Sequence, residues 1–350
     1  MGLTISLLVL AFLIFFHELG HFLAAKYLGV HVEKFSIGFG PSVVEKMYRG
    51  TLYKLGLIAL GGYVQMRGQN DFDSNARSTE EGSYDALSPL GRIFILLAGP
   101  FANFLLAGII YFAMALSSHH ILLPKIGKVL ENSPATEVLQ IGDVILKINQ
   151  NVITKWEDIS QTIKDSKGTL EVVVSRDGEK QLLFLSPKSM ASTSIFGEEI
   201  QKKMIGISPS GDFKKVKLGL VEALVVGYDR TLNASELIFT GLQKLIQGIV
   251  SPKEVGSVIA IVDITAKASE AGILAVLGFM ALISVNLGVL NLLPIPALDG
   301  GHIIFNIYEL LFRRPPNKQV FYYMTIAGWS ILLGVMALGV YNDINRLLAS

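Results

Sequence analysis

The sequence predicts a polytopic α-helical membrane protein into which a small α/β domain is inserted. Of the 350 residues, 51% are hydrophobic and only 17% are charged, whereas about a quarter are charged in ordinary soluble domains. Four stretches are long and apolar enough to cross about 30 Å of hydrocarbon as helices. A net charge of +1 without a long basic run gives no indication of a nucleic-acid partner. Because the chain has no cysteine, any metal must be bound by histidine and carboxylate.

Four predicted transmembrane helices organise the chain. They run approximately over Gly2–Ala25, Ile93–Leu116, Ala271–Asn291 and Gln319–Asn342. The predicted domains are an N-terminal membrane region (1–116), an inserted soluble domain (122–188), an amphipathic connecting segment (189–268) and a C-terminal membrane region (269–350). Within the connecting segment, helical spacing over Val216–Leu224 and Glu236–Ile249 predicts two helices that lie on the membrane surface.

The first span contains His17-Glu18-Leu19-Gly20-His21. Histidines four residues apart lie on one helix face about one turn apart, so both can bind one ion. Glu18 then lies beside the ion, where a general base for an activated water belongs. Three ionisable groups in five residues of a lipid-spanning segment are costly and usually functional. We therefore predict a metal site, with His17 and His21 as ligands, instead of two packed histidines.

The third span ends at a break in the helix. Pro294 and Pro296 cannot continue a helix, so Asp299 follows at an unwound position. An aspartate there is either a helix N-cap or a metal ligand. A catalytic zinc site needs three protein ligands, and no Asp or Glu falls within the other spans, which favours Asp299 as the third ligand. Asn291 could bind freed backbone or an extended substrate, and His302 is expected to support or pack beside the site.

Between the first two spans, Phe35–Pro41 and Tyr53–Met66 are predicted as short strands, broken by glycine, that dip into the membrane surface. Asn70–Tyr84 is predicted as a loop.

In the soluble domain, Val144–Asn149 and Leu170–Ser175 are strand-like, and Trp156–Lys164 has helical spacing. Arg176-Asp177-Gly178-Glu179 predicts a hairpin turn.

Two parts of the soluble domain resemble a PDZ domain of the bacterial envelope-protease type. They are Ile126–Ala135 and Leu139–Asn149, which contains Gly142-Asp143-Val144-Ile145. The resemblance implies that the domain binds extended peptides or chain ends by strand addition. The alternative is a spacer domain that binds nothing.

With His17-Glu18-x-x-His21 and Leu298-Asp299-Gly300 together, the chain resembles the bacterial site-2 proteases, the intramembrane zinc metalloproteases that include the regulator of sigma-E protease. The resemblance covers nearly the whole chain. It implies cleavage in or near the transmembrane segment of a single-span substrate, such as an anti-sigma factor already trimmed by another protease. It also implies a re-entrant β-loop and supporting roles for Gly61, Gly62, Tyr63, Asn103, Asn291, Pro294 and Pro296.

The chain departs from the family pattern at a few places. Enterobacterial members carry two PDZ domains where this chain has one, which affects how substrates are gated. Gly256-Ser257 stands where the family often has Gly-Pro, and Ala59 stands where a proline is common. None of these positions is a proposed metal ligand.

Lysine and arginine in the first and last connecting loops place those loops in the cytoplasm by the positive-inside rule. The soluble domain then faces the periplasm of the bacterial inner membrane, and the metal site lies towards the cytoplasmic side. One alternative is an ion- or proton-coupled transporter that uses the same buried groups, although no internal repeat supports it. Another is a membrane-anchored binding module whose metal is structural.

Overall fold

The structure is a computed structural model that describes residues 2–69, 78, 80–117 and 119–349. The chain divides into two compact units, one made of residues 1–114 and 223–350 and the other of residues 115–222. Most of the predicted loop Asn70–Tyr84 lies outside the described residues, and Tyr84–Ala86 forms a single 3-10 turn.

The first unit is largely helical. Its helices are α1 (Gly2–Tyr27), α2 (Pro89–Ser117), α4 (Leu220–Ile246), α5 (Val258–Ala271), α6 (Ile273–Asn291), α7 (Asp299–Phe312) and α8 (Lys318–Ala349), while α3 belongs to the second unit. In the described part of the chain, α1, α2, α6 and α8 are long and apolar enough to cross a membrane. Each of these four helices contains most of one predicted span.

Glycine allows α1 and α2 to cross closely. A Cβ on Gly20 would lie 2.2 Å from the carbonyl oxygen of Ala98 and 2.9 Å from Cβ of Ala102. Helix α6 joins the same bundle, because Ser284 Oγ donates to the carbonyl oxygen of Asn103 at 2.8 Å. Residues of α1, α2 and α6 share one apolar core around Leu13, Ala107 and Val285. The crossing brings the residues of the first span close to the backbone of the second.

A long β-hairpin lies beside α1. Its strands β1 (Val32–Tyr48) and β2 (Thr51–Met66) are joined at Arg49 and Gly50, both with positive φ, as a two-residue hairpin turn requires. The strands are longer than the predicted short pair. Both strands bend, so residues 34–37 pair with residues 52–55 on one side and with residues 62–65 on the other. Residues 62–65 therefore form an edge of the folded hairpin.

The second unit is an α/β domain. It contains α3 (Trp156–Asp165) and strands β3 (His119–Leu122), β4 (Ile126–Val129), β5 (Val144–Ile148), β6 (Asn151–Val152), β7 (Leu170–Arg176), β8 (Glu179–Leu185), β9 (Lys188–Thr193), β10 (Glu199–Met204), β11 (Ile207–Pro209) and β12 (Phe213–Val216). Four strands form a sheet in the order β6-β5-β7-β8, and α3 buries Ile159 and Ile163 in its core. The predicted hairpin turn is confirmed: Asp177 and Gly178 have positive φ between β7 and β8.

The structure differs from the predicted connecting segment 189–268. Strands β9 to β12 belong to the second unit, since β11 pairs with β4 and β12 pairs with β3. The helix predicted to begin at Val216 is wrong, because Val216 ends β12 and pairs with His119. A single continuous helix, α4, replaces the two predicted ones. Pairing between strands that are distant in sequence overrides the local helical spacing of residues 216–219.

Candidate metal centre

Three potential ligand atoms converge where α1 meets the start of α7. His17 Nε2 and His21 Nε2 are 3.2 Å apart. Asp299 Oδ2 lies 3.3 Å from His17 Nε2 and 3.4 Å from His21 Nε2. The three residues that the sequence predicts as ligands therefore form one compact group.

The spacing of this group matches tetrahedral zinc. A tetrahedral ion with bonds of about 2.0–2.1 Å separates its ligand atoms by about 3.3 Å. All three distances in the group lie within about 0.1 Å of that value. Asp299 Oδ2 is buried, and apart from the two imidazole nitrogens it has no hydrogen-bond partner among the described residues. Two imidazoles and one carboxylate are also a ligand set that catalytic zinc uses.

His21 is held by the backbone of α2. Its Nδ1 lies 2.8 Å from the carbonyl oxygen of Ile95, and since a carbonyl only accepts, Nδ1 carries the proton and donates. The nitrogen that remains for a metal is Nε2, the atom that faces Asp299. Gly99 packs closely against the Nε2 end of the ring: a Cβ there would lie 2.2 Å from His21 Nε2. A hydrogen bond from the nitrogen that does not bind metal, here Nδ1, fixes the tautomer and orientation of a metal-bound histidine.

His17 is held by the side chain of Asn103, also on α2. The amide of Asn103 is fully buried and its nitrogen lies 3.1 Å from His17 Nδ1, while its Oδ1 has no partner among the described residues. Rotating the amide by 180° exchanges the two atoms and lets Oδ1 accept from Nδ1–H. Nε2 of His17 is then free to bind an ion. Asn103 thus contacts His17 at the position where the family resemblance implies a supporting residue.

Asp299 is not a helix cap. Leu298 occupies the cap position, and Asp299 is the first residue of α7. The loop before it folds tightly onto the helix start, so that a Cβ on Gly300 or Gly301 would lie 2.3 Å from the carbonyl oxygen of Leu293 or Ile295, respectively. The ligand interpretation of Asp299 is thus the one that its position supports.

Glu18 and the three ligands line one polar cavity of about 260 Å³. The carboxylate of Glu18 accepts a hydrogen bond from the backbone N–H of Val64. Gly62 also lies close to Glu18, since a Cβ on it would lie 2.9 Å from Glu18 Cγ. The edge of the hairpin therefore positions the predicted general base beside the metal centre.

The other predicted residues fall into two groups. Asn291, Gly62, Tyr63 and His302 line the cavity. Gly61 instead packs against the ring of Phe39, and the backbone of Pro296 packs against Gly301 and Gly328. Pro294 follows α6 in the turn that ends the span, as its ring requires. Gly61, Pro294 and Pro296 are not among the residues that line the cavity.

Comparisons with known proteins agree with this geometry. Peptidase family M50 matches residues 5–335. The chain belongs to this family. Membership in M50 confirms the resemblance to the site-2 proteases and the prediction of a metallopeptidase, and it decides against the transporter alternative.

Several curated relatives match this M50 chain over nearly its full length. A Campylobacter jejuni protein named "Putative zinc metalloprotease" is 44% identical over 344 residues, which cover 98% of this chain and 93% of the relative. A Helicobacter pylori protein with the same name is 37% identical over 98% of this chain and 99% of its own length. Among solved structures, a PDZ domain of a Listeria monocytogenes SdrC-like protein covers 24% of this chain and 84% of its own, with 20% identity and a TM-score of 0.20.

Some residues that line or support the site of this M50 peptidase were not predicted from the sequence. Val64 and Met66 line the cavity with Gly62, and their spacing of two along β2 could have indicated a shared strand face. Gln69 and Leu96 carry no such pattern. The carbonyl of Ile95 acts through the backbone, so no side chain marks it.

Proposed function

We propose that the chain is an intramembrane zinc endopeptidase that hydrolyses peptide bonds in or near the transmembrane segment of single-span membrane proteins. The observation that supports this most is the tetrahedral spacing of His17, His21 and Asp299 beside the carboxylate of Glu18. Two of the ligands lie on a helix that is apolar enough to cross a membrane. A protease centre on such a helix acts on substrates that are themselves in the membrane.

Each group of residues in the cavity has a separate role in the proposed hydrolysis. His17, His21 and Asp299 would hold zinc, which when bound polarises a carbonyl and makes water acidic enough to lose a proton near neutral pH. Glu18 accepts that proton and delivers it to the leaving amine. The hydrogen bond from Val64 keeps the Glu18 carboxylate at the cavity wall. Asn103 and Ile95 keep the imidazoles in orientation.

The edge at residues 62–65 suits an extended substrate. β1 pairs with one side of this segment, and no strand of the described residues pairs with the other. A substrate helix must unwind before its carbonyls can be attacked, and adding it as a strand would replace the hydrogen bonds that it loses. Asn291 also lines the cavity and offers an amide for the same backbone.

The proposed partners and location rest on the family resemblance and on charge. Lys34, Lys46 and Lys54 in β1 and β2 support a cytoplasmic hairpin in the bacterial inner membrane and a periplasmic α/β domain. The resemblance supports an anti-sigma factor trimmed by another protease as the substrate, and a peptide or chain end as the ligand of the PDZ-like domain.

Two variants test the mechanism. Glu18→Gln should bind zinc as the wild type does but cleave a reconstituted single-span substrate at a rate lower by about 100-fold or more. Asp299→Ala should lose both zinc and activity. Zinc content and cleavage are measured on the same detergent-purified samples. Full activity of Glu18→Gln, or undiminished zinc in Asp299→Ala, would contradict the assignment.

A further inference from the structure

A buried ion pair joins α2 to the far end of α7. Arg92 Nη2 donates to Glu309 Oε1 at 2.8 Å, and the two side chains are only 7% and 11% exposed. By contrast, the pair between Lys267 and Asp263 on α5 is 72% and 47% exposed. Neither Arg92 nor Glu309 lines the cavity of the metal centre.

On the α2 side, the pair lies on the helix whose residues orient both histidines. Arg92 lies about one helical turn before Ile95, whose carbonyl accepts from His21. Asn103, further along the same helix, contacts His17. Groups on α2 therefore set the orientation of two of the three candidate ligands.

On the α7 side, the pair anchors the helix that begins with the third ligand. Glu309 follows Asp299 by ten residues, which is about 15 Å along the axis and about 80° around it. The buried residues of α7 all precede Glu309, and Leu310, Leu311 and Phe312 after it are exposed. Glu309 thus holds the second half of a helix that otherwise packs through its first half.

Burying the Arg92–Glu309 ion pair costs more desolvation free energy than apolar side chains at the same place would. Arg92 Nε is buried without a hydrogen-bond partner among the described residues, and so is Oδ1 of Asn306, one turn before Glu309 on α7. Buried ion pairs with unsatisfied neighbours add little stability, but their charge-assisted bonds are directional. Such a contact specifies position more than it stabilises.

We propose that Arg92 and Glu309 are positioning residues of the metal centre. This inference rests on the proposed zinc site. The pair holds the far end of α7 against α2, the helix that orients both imidazoles, and so it limits the tilt of the helix that carries Asp299. Without the pair, α7 could tilt about its packed residue Phe305, which follows Asp299 by six residues, or about 9 Å along the axis. A tilt of about 3° around that point would move Asp299 by about 0.5 Å, beyond the tolerance of about 0.2 Å for zinc ligands.

The test separates positioning from stability with a double variant. Arg92→Met combined with Glu309→Leu replaces the pair by apolar side chains of similar length, a change that often leaves stability unchanged or higher. In the full-length protein in detergent, the thermal midpoint should stay within a few degrees of the wild type. Zinc affinity, measured by competition with a chelator, should fall by about 10- to 100-fold, and cleavage should recover as free zinc is raised.

Matched variants complete the design. Lys267→Gln removes a basic residue from an exposed ion pair and should leave zinc affinity unchanged. The single variant Arg92→Gln should weaken zinc binding at least as much as the double variant does. If the double variant folds and binds zinc as tightly as the wild type while Asp299→Ala loses zinc, the positioning role is wrong and the metal centre stands. If Asp299→Ala keeps its zinc, the proposed centre itself is wrong.

Discussion

Replacing Gly99 by alanine is expected to disable metal binding while leaving the helices in place. The new Cβ would lie 2.2 Å from Nε2 of His21 and 2.6 Å from its Cε1. Ordinary contacts begin at about 3.4 Å, so the ring would have to move by about 1.2 Å. The clash falls on the nitrogen that faces Asp299.

The imidazole has little freedom to make that movement and still bind zinc. Its Nδ1 donates to the Ile95 carbonyl at 2.8 Å, and the side chain is only 9% exposed. Zinc ligands tolerate displacements of about 0.2 Å. We therefore expect Gly99→Ala to weaken zinc binding by at least about 100-fold, or about 3 kcal/mol.

Gly108→Ala is the matched control on the same helix, because a Cβ there would meet Thr231 Oγ1 at 3.6 Å, an ordinary contact. Zinc affinity is measured by chelator competition, and helix content is measured by circular dichroism on the same samples. Gly108→Ala should behave as the wild type in both measurements. A Gly99→Ala variant that binds zinc with wild-type affinity would refute the assignment of His21 Nε2 as a ligand.

Two further predictions concern stability. In the α/β unit, burial alone would raise the pKa of Asp143, but two hydrogen bonds from Arg176 and one from the Gln140 backbone lower it below its ordinary value. Because the unfolded-state pKa is about 3.9, the stabilisation is present above about pH 4 and is lost as the pH falls through the lowered pKa; hydrogen exchange of residues 115–222 should show this loss in the wild type and not in Asp143→Asn. On α8, Asp343 is 3% exposed and accepts hydrogen bonds from Ser257 N, Ser257 Oγ and Ala260 N. Asp343→Ala leaves these donors unpaired and should cost about 3 kcal/mol, which thermal unfolding would detect as a lower midpoint; an unchanged midpoint would mean that water satisfies the donors.

The parts of the fold that could be predicted are those that local chemistry decides. A helix needs about 20 predominantly apolar residues to cross hydrocarbon, so the four candidate spans were visible in the sequence. The spacing of His17 and His21 is meaningful because the helical period is known. Asp299 was identified by its place after two prolines, and its role depended on counting ligands instead of on local structure.

The parts that could not be predicted depend on contacts between distant residues. β12 pairs with β3 across about 90 residues of sequence, and the local pattern at Val216 resembled a helix. Gly99 acts through the space that its missing side chain leaves, and Ile95 acts through its carbonyl. Arg92 and Glu309 are separated by 217 residues, so neither charge revealed its partner.

The order of residues along the chain also affects synthesis of the enzyme. His17, Glu18 and His21 are translated well before Asp299, which follows only after the hairpin, the α/β unit and α6. A nascent chain, or any fragment that ends before residue 299, has two of the three ligands and an incomplete cavity wall. The three candidate ligands can therefore come together only after Asp299 has been translated and the start of α7 has reached α1.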